Sequence, residues 1–158
     1  MTTLSEAGDT IARLVVEALA DGDWIDGPVD PIQYHGPPPD EVDETGECVG
    51  ARVSWWWDTL GGSDRFPSPA PVVDCGGPPL VALTVRWTDC WPIEPAWVPA
   101  MSAVAHEFTE GGWAVWTRLL LLACRSEPVL PDDRRSRLAL VSMDIRRPKG
   151  GVAGVDFK

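Results

Sequence analysis

The sequence predicts an α+β fold: a small mixed or antiparallel sheet, an N-terminal helix and a long central helix packed on it, and a closing β-hairpin. Three stretches predict it. Residues 81–88 alternate, with Val81, Leu83, Val85 and Trp87 on one side and Ala82, Thr84, Arg86 and Thr88 on the other, the period of a strand with one buried face. Met101, Val104, Ala105, Phe108, Val115, Leu119 and Leu122 recur at helical spacing. Residues 138–146 alternate again before a glycine-rich turn. A strand feeding a helix that lies back across its own sheet is the nucleus of such a domain.

In chain order, residues 4–20 read as an amphipathic helix. Leu4, Ala7, Ile11, Leu14, Val15, Ala18 and Leu19 share a stripe. Thr3 or Ser5 can cap it, and Glu6 and Asp9 sit near the positive end of its dipole. Residues 24–47 are loop-like, containing Gly36-Pro37-Pro38-Pro39 and the acidic run Asp40, Glu41, Asp43, Glu44 and Glu47. Such a segment buries too little apolar surface to offset its ordering entropy alone. Residues 51–57 are a strand candidate, and Trp55-Trp56-Trp57 puts bulky rings on both faces. The strand is therefore covered on both sides or gives one face to a partner. Residues 60–74, with Phe66-Pro67, Pro69 and Pro71, form a long connection or a projecting arm.

The central helix is expected from about Pro99, at its first turn, to about Ser126. Gly111-Gly112 is its weak point. Each glycine costs roughly 1 kcal/mol relative to alanine, so a kink or a split is expected there. Arg146-Arg147-Pro148-Lys149-Gly150-Gly151 is a turn, and residues 152–158 resume an extended pattern.

The 158 residues suit one domain with a single core. Nine tryptophans are many for this length, and such rings also serve subunit contacts. Charge is lopsided. Residues 1–79 carry 3 basic and 15 acidic side chains, and residues 80–158 carry 10 and 9. An acidic chain is a poor nucleic-acid binder, because phosphate affinity comes mainly from lysine and arginine. No basic, apolar leader opens the sequence and no run of about 18 apolar residues occurs. A cytosolic site of synthesis follows, with free thiols expected at Cys48, Cys75, Cys90 and Cys124. A disulfide is expected only if the mature protein meets an oxidising environment.

The cysteines show no C-x-x-C spacing, and His35 and His106 are far apart, so no metal ligands are assigned. Cys124 reads as helix core, and the other cysteines as packing at turns. No nucleophile elbow or phosphate loop occurs. Gly150-Gly151-Val152-Ala153-Gly154 precedes no helix and reads as a hairpin turn or a close backbone contact. No catalytic residue and no cofactor are assigned. The residues favour an assembly protein over an enzyme.

One ordered set of features carries a family likeness: an N-terminal helix; Cys48-Val49-Gly50 and a strand; the Phe66-Pro67 arm; Cys75-Gly76 and a strand running from Arg86 to Cys90-Trp91-Pro92; a helix bearing Trp113 to Cys124; and Gly150-Gly151-Val152-Ala153-Gly154 before a last strand. In this order the chain resembles the small neck and tail-terminator proteins of actinobacterial siphophages. The resemblance implies a virion head-to-tail connector that is made in the host cytoplasm. It implies a homo-hexameric ring that caps the tail tube and meets the neck stopper, with DNA passing through the lumen unbound and no membrane involved. Subunit-interface candidates are Trp55, Trp56, Trp57, Phe66, Pro67, Arg146, Arg147 and Lys149. Alternatives are a head-completion stopper, a protein-binding adaptor outside phage, and a small cysteine-based metal-binding domain or enzyme.

Overall fold

The computed structural model describes residues 2–39, 48–62, 79–91, 98–125, 128–149 and 151–158. It has two helices and a five-stranded sheet, the α+β architecture expected from the sequence. The elements run α1 (Leu4–Asp21), β1 (Ile32–Gln33), β2 (Arg52–Gly62), β3 (Pro79–Cys90), α2 (Val98–Arg125), β4 (Met143–Lys149) and β5 (Val152–Phe157). Strand order is β1-β2-β3-β5-β4. β1 pairs parallel with β2, and every other pair is antiparallel. The short β1 lies inside the segment expected to be loop.

α1 begins where the sequence places it. The Thr3 hydroxyl accepts from the Glu6 N–H at 3.2 Å, and the Glu6 carboxylate accepts from the Thr3 N–H at 2.6 Å. Both satisfy donors that a helix start otherwise leaves open. Holding those bonds also keeps the Glu6 carboxyl below the ordinary glutamate value, the backbone bond from Thr3 being the main cause. The helix buries Ala7, Gly8, Ala12, Val15, Ala18 and Leu19. At its far end the Trp24 N–H bonds the Leu19 carbonyl at 2.9 Å. Arg118 of α2 forms an ion pair with Asp21 of α1.

Both helices lie on one face of the sheet. The register brings Val53, Trp87 and Val155 into one row and Trp55, Val85, Phe157 and Met143 into the next. These rows join Val15, Leu19, Phe108, Val115 and Leu119 in a single core. Trp87 and Phe108 meet with ring centroids 4.8 Å apart, and Trp55 and Trp57 meet edge-on at 5.8 Å.

α2 is uninterrupted from Val98 to Arg125, so the split expected at Gly111-Gly112 does not occur. The two glycines are buried at the helix–sheet contact. A Cβ on Gly111 would stand 2.9 Å from the Trp87 ring, and one on Gly112 would stand 3.3 Å from Val155. They admit the tryptophan face of the sheet, and that packing outweighs their helix propensity. Gly8 does the same on α1, where a Cβ would stand 2.2 Å from the Trp55 ring. Cys124 is exposed rather than core.

β5 shows both glycine roles expected of the 150–154 stretch. Gly151 has φ +78° at the hairpin turn. At Gly154 a Cβ would stand 2.6 Å from the Trp87 carbonyl oxygen, so β3 and β5 approach closely there.

Gly8→Ala gains about 1 kcal/mol of helix propensity but forces a methyl group into Trp55, an overpacking that costs about 1–3 kcal/mol. Gly112→Ala meets only a mild contact. Urea denaturation should therefore show G8A to be the less stable of the two; the reverse order would remove the close-packing account.

Candidate functional site

The second face of the sheet is polar yet buried. Alternation along β2, β3 and β5 puts Ser54, Arg86 and Asp156 in one row across the sheet. Thr84, Arg86 and Thr88, which alternation alone assigns to the face opposite a buried one, are all buried. The Arg86 guanidinium meets Asp156 in a two-pronged pair, Nε to Oδ1 at 2.6 Å and Nη2 to Oδ2 at 2.9 Å. It also lies over the Trp56 ring, 4.7 Å from the centroid. The Trp56 Nε1–H donates to Asp58 at 2.9 Å, and the Thr84 hydroxyl donates to the same carboxylate. A buried cation is tolerable here because the fork geometry matches the carboxylate and the ring quadrupole faces the charge.

A shallow hollow opens at the β4–β5 hairpin end of this face. Arg146, Arg147 and Lys149 line it together with Arg86, Thr88 and the Pro38-Pro39 pair. Register explains the gathering, since Arg146 sits opposite Gly154 and Lys149 opposite Val152. A bulge between Arg146 and Lys149 lets neighbouring side chains reach the same hollow. The positive charge is local: the whole chain carries −11.

At the same end of the sheet, Cys48 and Cys90 are joined by a disulfide with Cα atoms 5.5 Å apart. This corrects the expectation of free thiols at these two positions. The bond closes a loop across 42 positions of sequence, worth about 4 kcal/mol in the chain-entropy account. Asp89 lies beside it, with its Oδ1 accepting from the Cys90 N–H at 2.7 Å. Partial burial pushes the Asp89 carboxyl above the ordinary aspartate value. The Cys90 N–H opposes that shift, and the charges of Asp26 and Glu107 add to it.

The interface candidates separate. Trp55 and Trp56 are 1% and 3% exposed; one is covered by α1 and the other stacks on Arg86, so neither has surface to offer a neighbour. Of the two readings of the triplet, coverage on both sides holds for this pair. Trp57 keeps partial exposure. Phe66 and Pro67 lie outside the described residues. Arg146, Arg147 and Lys149 do come together, at the pocket. His106 is exposed on α2.

Sequence reasoning missed an apolar stripe on the outer side of α2. Trp113, Leu120 and Leu121 are 58%, 43% and 53% exposed. Their spacing of seven and eight residues places them on one side of the helix, opposite Phe108, Val115 and Leu119. The signal was present as Leu119-Leu120-Leu121-Leu122, a run too long for one buried stripe.

No protein-family model matches the chain, and no curated protein matches it significantly.

Arg86→Met leaves Asp156 charged and unpaired in a buried setting, and should lose about 3–5 kcal/mol of stability. The double variant R86M/D156L should recover most of that loss in a denaturation cycle. Equal loss in both variants would show that the pair does not act as a unit.

Proposed function

We propose that this protein is a virion structural protein of the tail-terminator type, a ring subunit that caps a phage tail tube and joins it to the neck. The observation that carries the reading is the α2 stripe. Trp113, Leu120 and Leu121 put large apolar side chains in water on one side of a helix whose other side already serves the core. Clustered apolar side chains of this kind mark association surfaces, and aromatic rings in them dominate binding energy. The ordered family likeness supplies the kind of assembly: a homo-hexamer with the tail tube protein and a neck stopper as partners. The acidic balance suits a ring through which DNA passes unbound during genome ejection.

The 28-residue helix α2 weighs against the head-completion stopper, which is expected to be mostly β-barrel. An edge-to-edge mode of assembly through β4 is also disfavoured. Arg146, Arg147, Pro148 and Lys149 occupy that edge strand, and charged residues, proline and a bulge are the devices that block strand addition.

The test is the mass of the purified protein in solution, with and without tail tubes. A hexamer, or a monomer that assembles only on tube ends, is expected; a monomer indifferent to tubes overturns the proposal. Trp113→Glu should weaken association by about 30-fold or more, the equivalent of a hot-spot residue. Its thermal midpoint should stay close to that of the parent, because the ring is exposed.

A further inference from the structure

We propose that Cys48, Asp89 and Cys90 form a redox-gated site for a thiophilic divalent cation of the zinc class. The disulfide is the closed state, and the dithiol is the state that takes the ion. This inference stands apart from the ring reading and needs none of its interfaces.

Three observations carry it. The two sulfurs and a carboxylate oxygen of Asp89 all lie within 4.8 Å of one another. Two thiolates and a carboxylate suit zinc, with metal–sulfur distances of about 2.3 Å and metal–oxygen distances of about 2.0–2.2 Å. With Cα atoms 5.5 Å apart, side-chain rotation suffices to bring both sulfurs onto one ion. The fourth position is left for water, since Cys90 is exposed at the end of β3.

The second observation is that the carboxylate is fixed. The Cys90 N–H holds one oxygen of Asp89, and the side chain is half-buried. Ligands restrained in this way bind with less loss of freedom.

The third is uncompensated charge. Among the described residues no basic side chain forms an ion pair with Asp89. Elsewhere on this sheet a buried carboxylate is matched by an arginine, as Asp156 is by Arg86. Here a divalent cation is the matching charge.

Opening the site requires a two-electron reductant, in a cell a pair of thiols. Two reductant thiols deliver two electrons and two protons to the disulfide, giving two protein thiols and one reductant disulfide. The cation then displaces both thiol protons and is held by two thiolates. The sum consumes the protein disulfide, two thiols and one M²⁺, and yields the metal dithiolate, a reductant disulfide and two H⁺. The consequence is structural. Cys48 and Cys90 are tied in either environment, by a covalent bond when oxidised and by the ion when reduced.

The experiment uses the full chain reduced with a phosphine and titrated with Cd²⁺, followed by thiolate-to-cadmium ultraviolet absorption and native mass. One ion per chain is expected, with Zn²⁺ displacing it and with no binding before reduction. The variant C75S/C124S, which keeps only Cys48 and Cys90, should bind as the parent does. C48S/C90S should bind none, and Asp89→Asn should weaken binding by about 10-fold or more. Absence of stoichiometric Cd²⁺ in the reduced C75S/C124S chain overturns the site. Binding that persists in C48S/C90S assigns the ion to other cysteines and overturns it as well. A bond that no phosphine opens in the folded chain overturns the gating, and D89N binding equal to the parent removes Asp89 from the ligand set.

Discussion

The Arg86–Asp156 pair is the constraint on which the rest of the sheet depends. The two residues are 70 positions apart in sequence and directly opposite each other in the register. A slip of one residue in β5 would turn Asp156 into the tryptophan core and carry Val155 and Phe157 to the polar face, leaving Arg86 unpaired. Neither partner tolerates burial without the other. The pair therefore fixes which strand lies beside β3 and in what register. It also places β5 so that β4, paired to its other edge, carries Arg146, Arg147 and Lys149 to the pocket.

The helix side follows a different logic. There the specific contacts are between glycine and tryptophan: Gly8 against Trp55, and Gly111 against Trp87 and Trp24. Removing a side chain from the helix lets a large flat ring lie directly against the backbone cylinder, so more apolar area is buried per residue. The result is a layer with a tryptophan-rich face packed tightly on helices and a polar face held by hydrogen bonds and charge. With β2 and β3 covered on both sides, the outer side of α2 is one of the places among the described residues where large apolar side chains meet water, Val141 and Ile145 marking another.

Much of this was legible in the sequence. Both helices lie within a residue or so of the limits set by periodicity, because Thr3 and the apolar spacing act locally. The alternating strands and the existence of a closing hairpin were readable for the same reason, but its first strand runs Met143–Lys149 rather than 138–146, so Arg146, Arg147 and Lys149 belong to the strand and not to the turn. The misreadings share one cause, which is that their explanation lies far along the chain. Gly111-Gly112 looks like a break when judged by propensity alone, since Trp87 and Val155 are not neighbours in sequence. Thr84, Arg86 and Thr88 look solvent-facing until Asp156 is placed beside them. Cysteine spacing gives no pairing, so the Cys48–Cys90 contact could not be found from order alone. The basic cluster was legible as residues, whereas the pocket it lines depends on the bulge in β4 and on Pro38-Pro39.

The strand order has a consequence for biosynthesis. β3 lies between β2 and β5, yet α2 and the whole 126–151 stretch are translated between β3 and β5. Until residues 152–157 leave the ribosome, one edge of β3 has no backbone partner and the Arg86 cation has no counter-charge. The nascent chain must then hold an incomplete sheet while its tryptophan face is already synthesised. Completion waits on a late, long-range docking event, the kind of step that slows folding and gives chaperones a substrate.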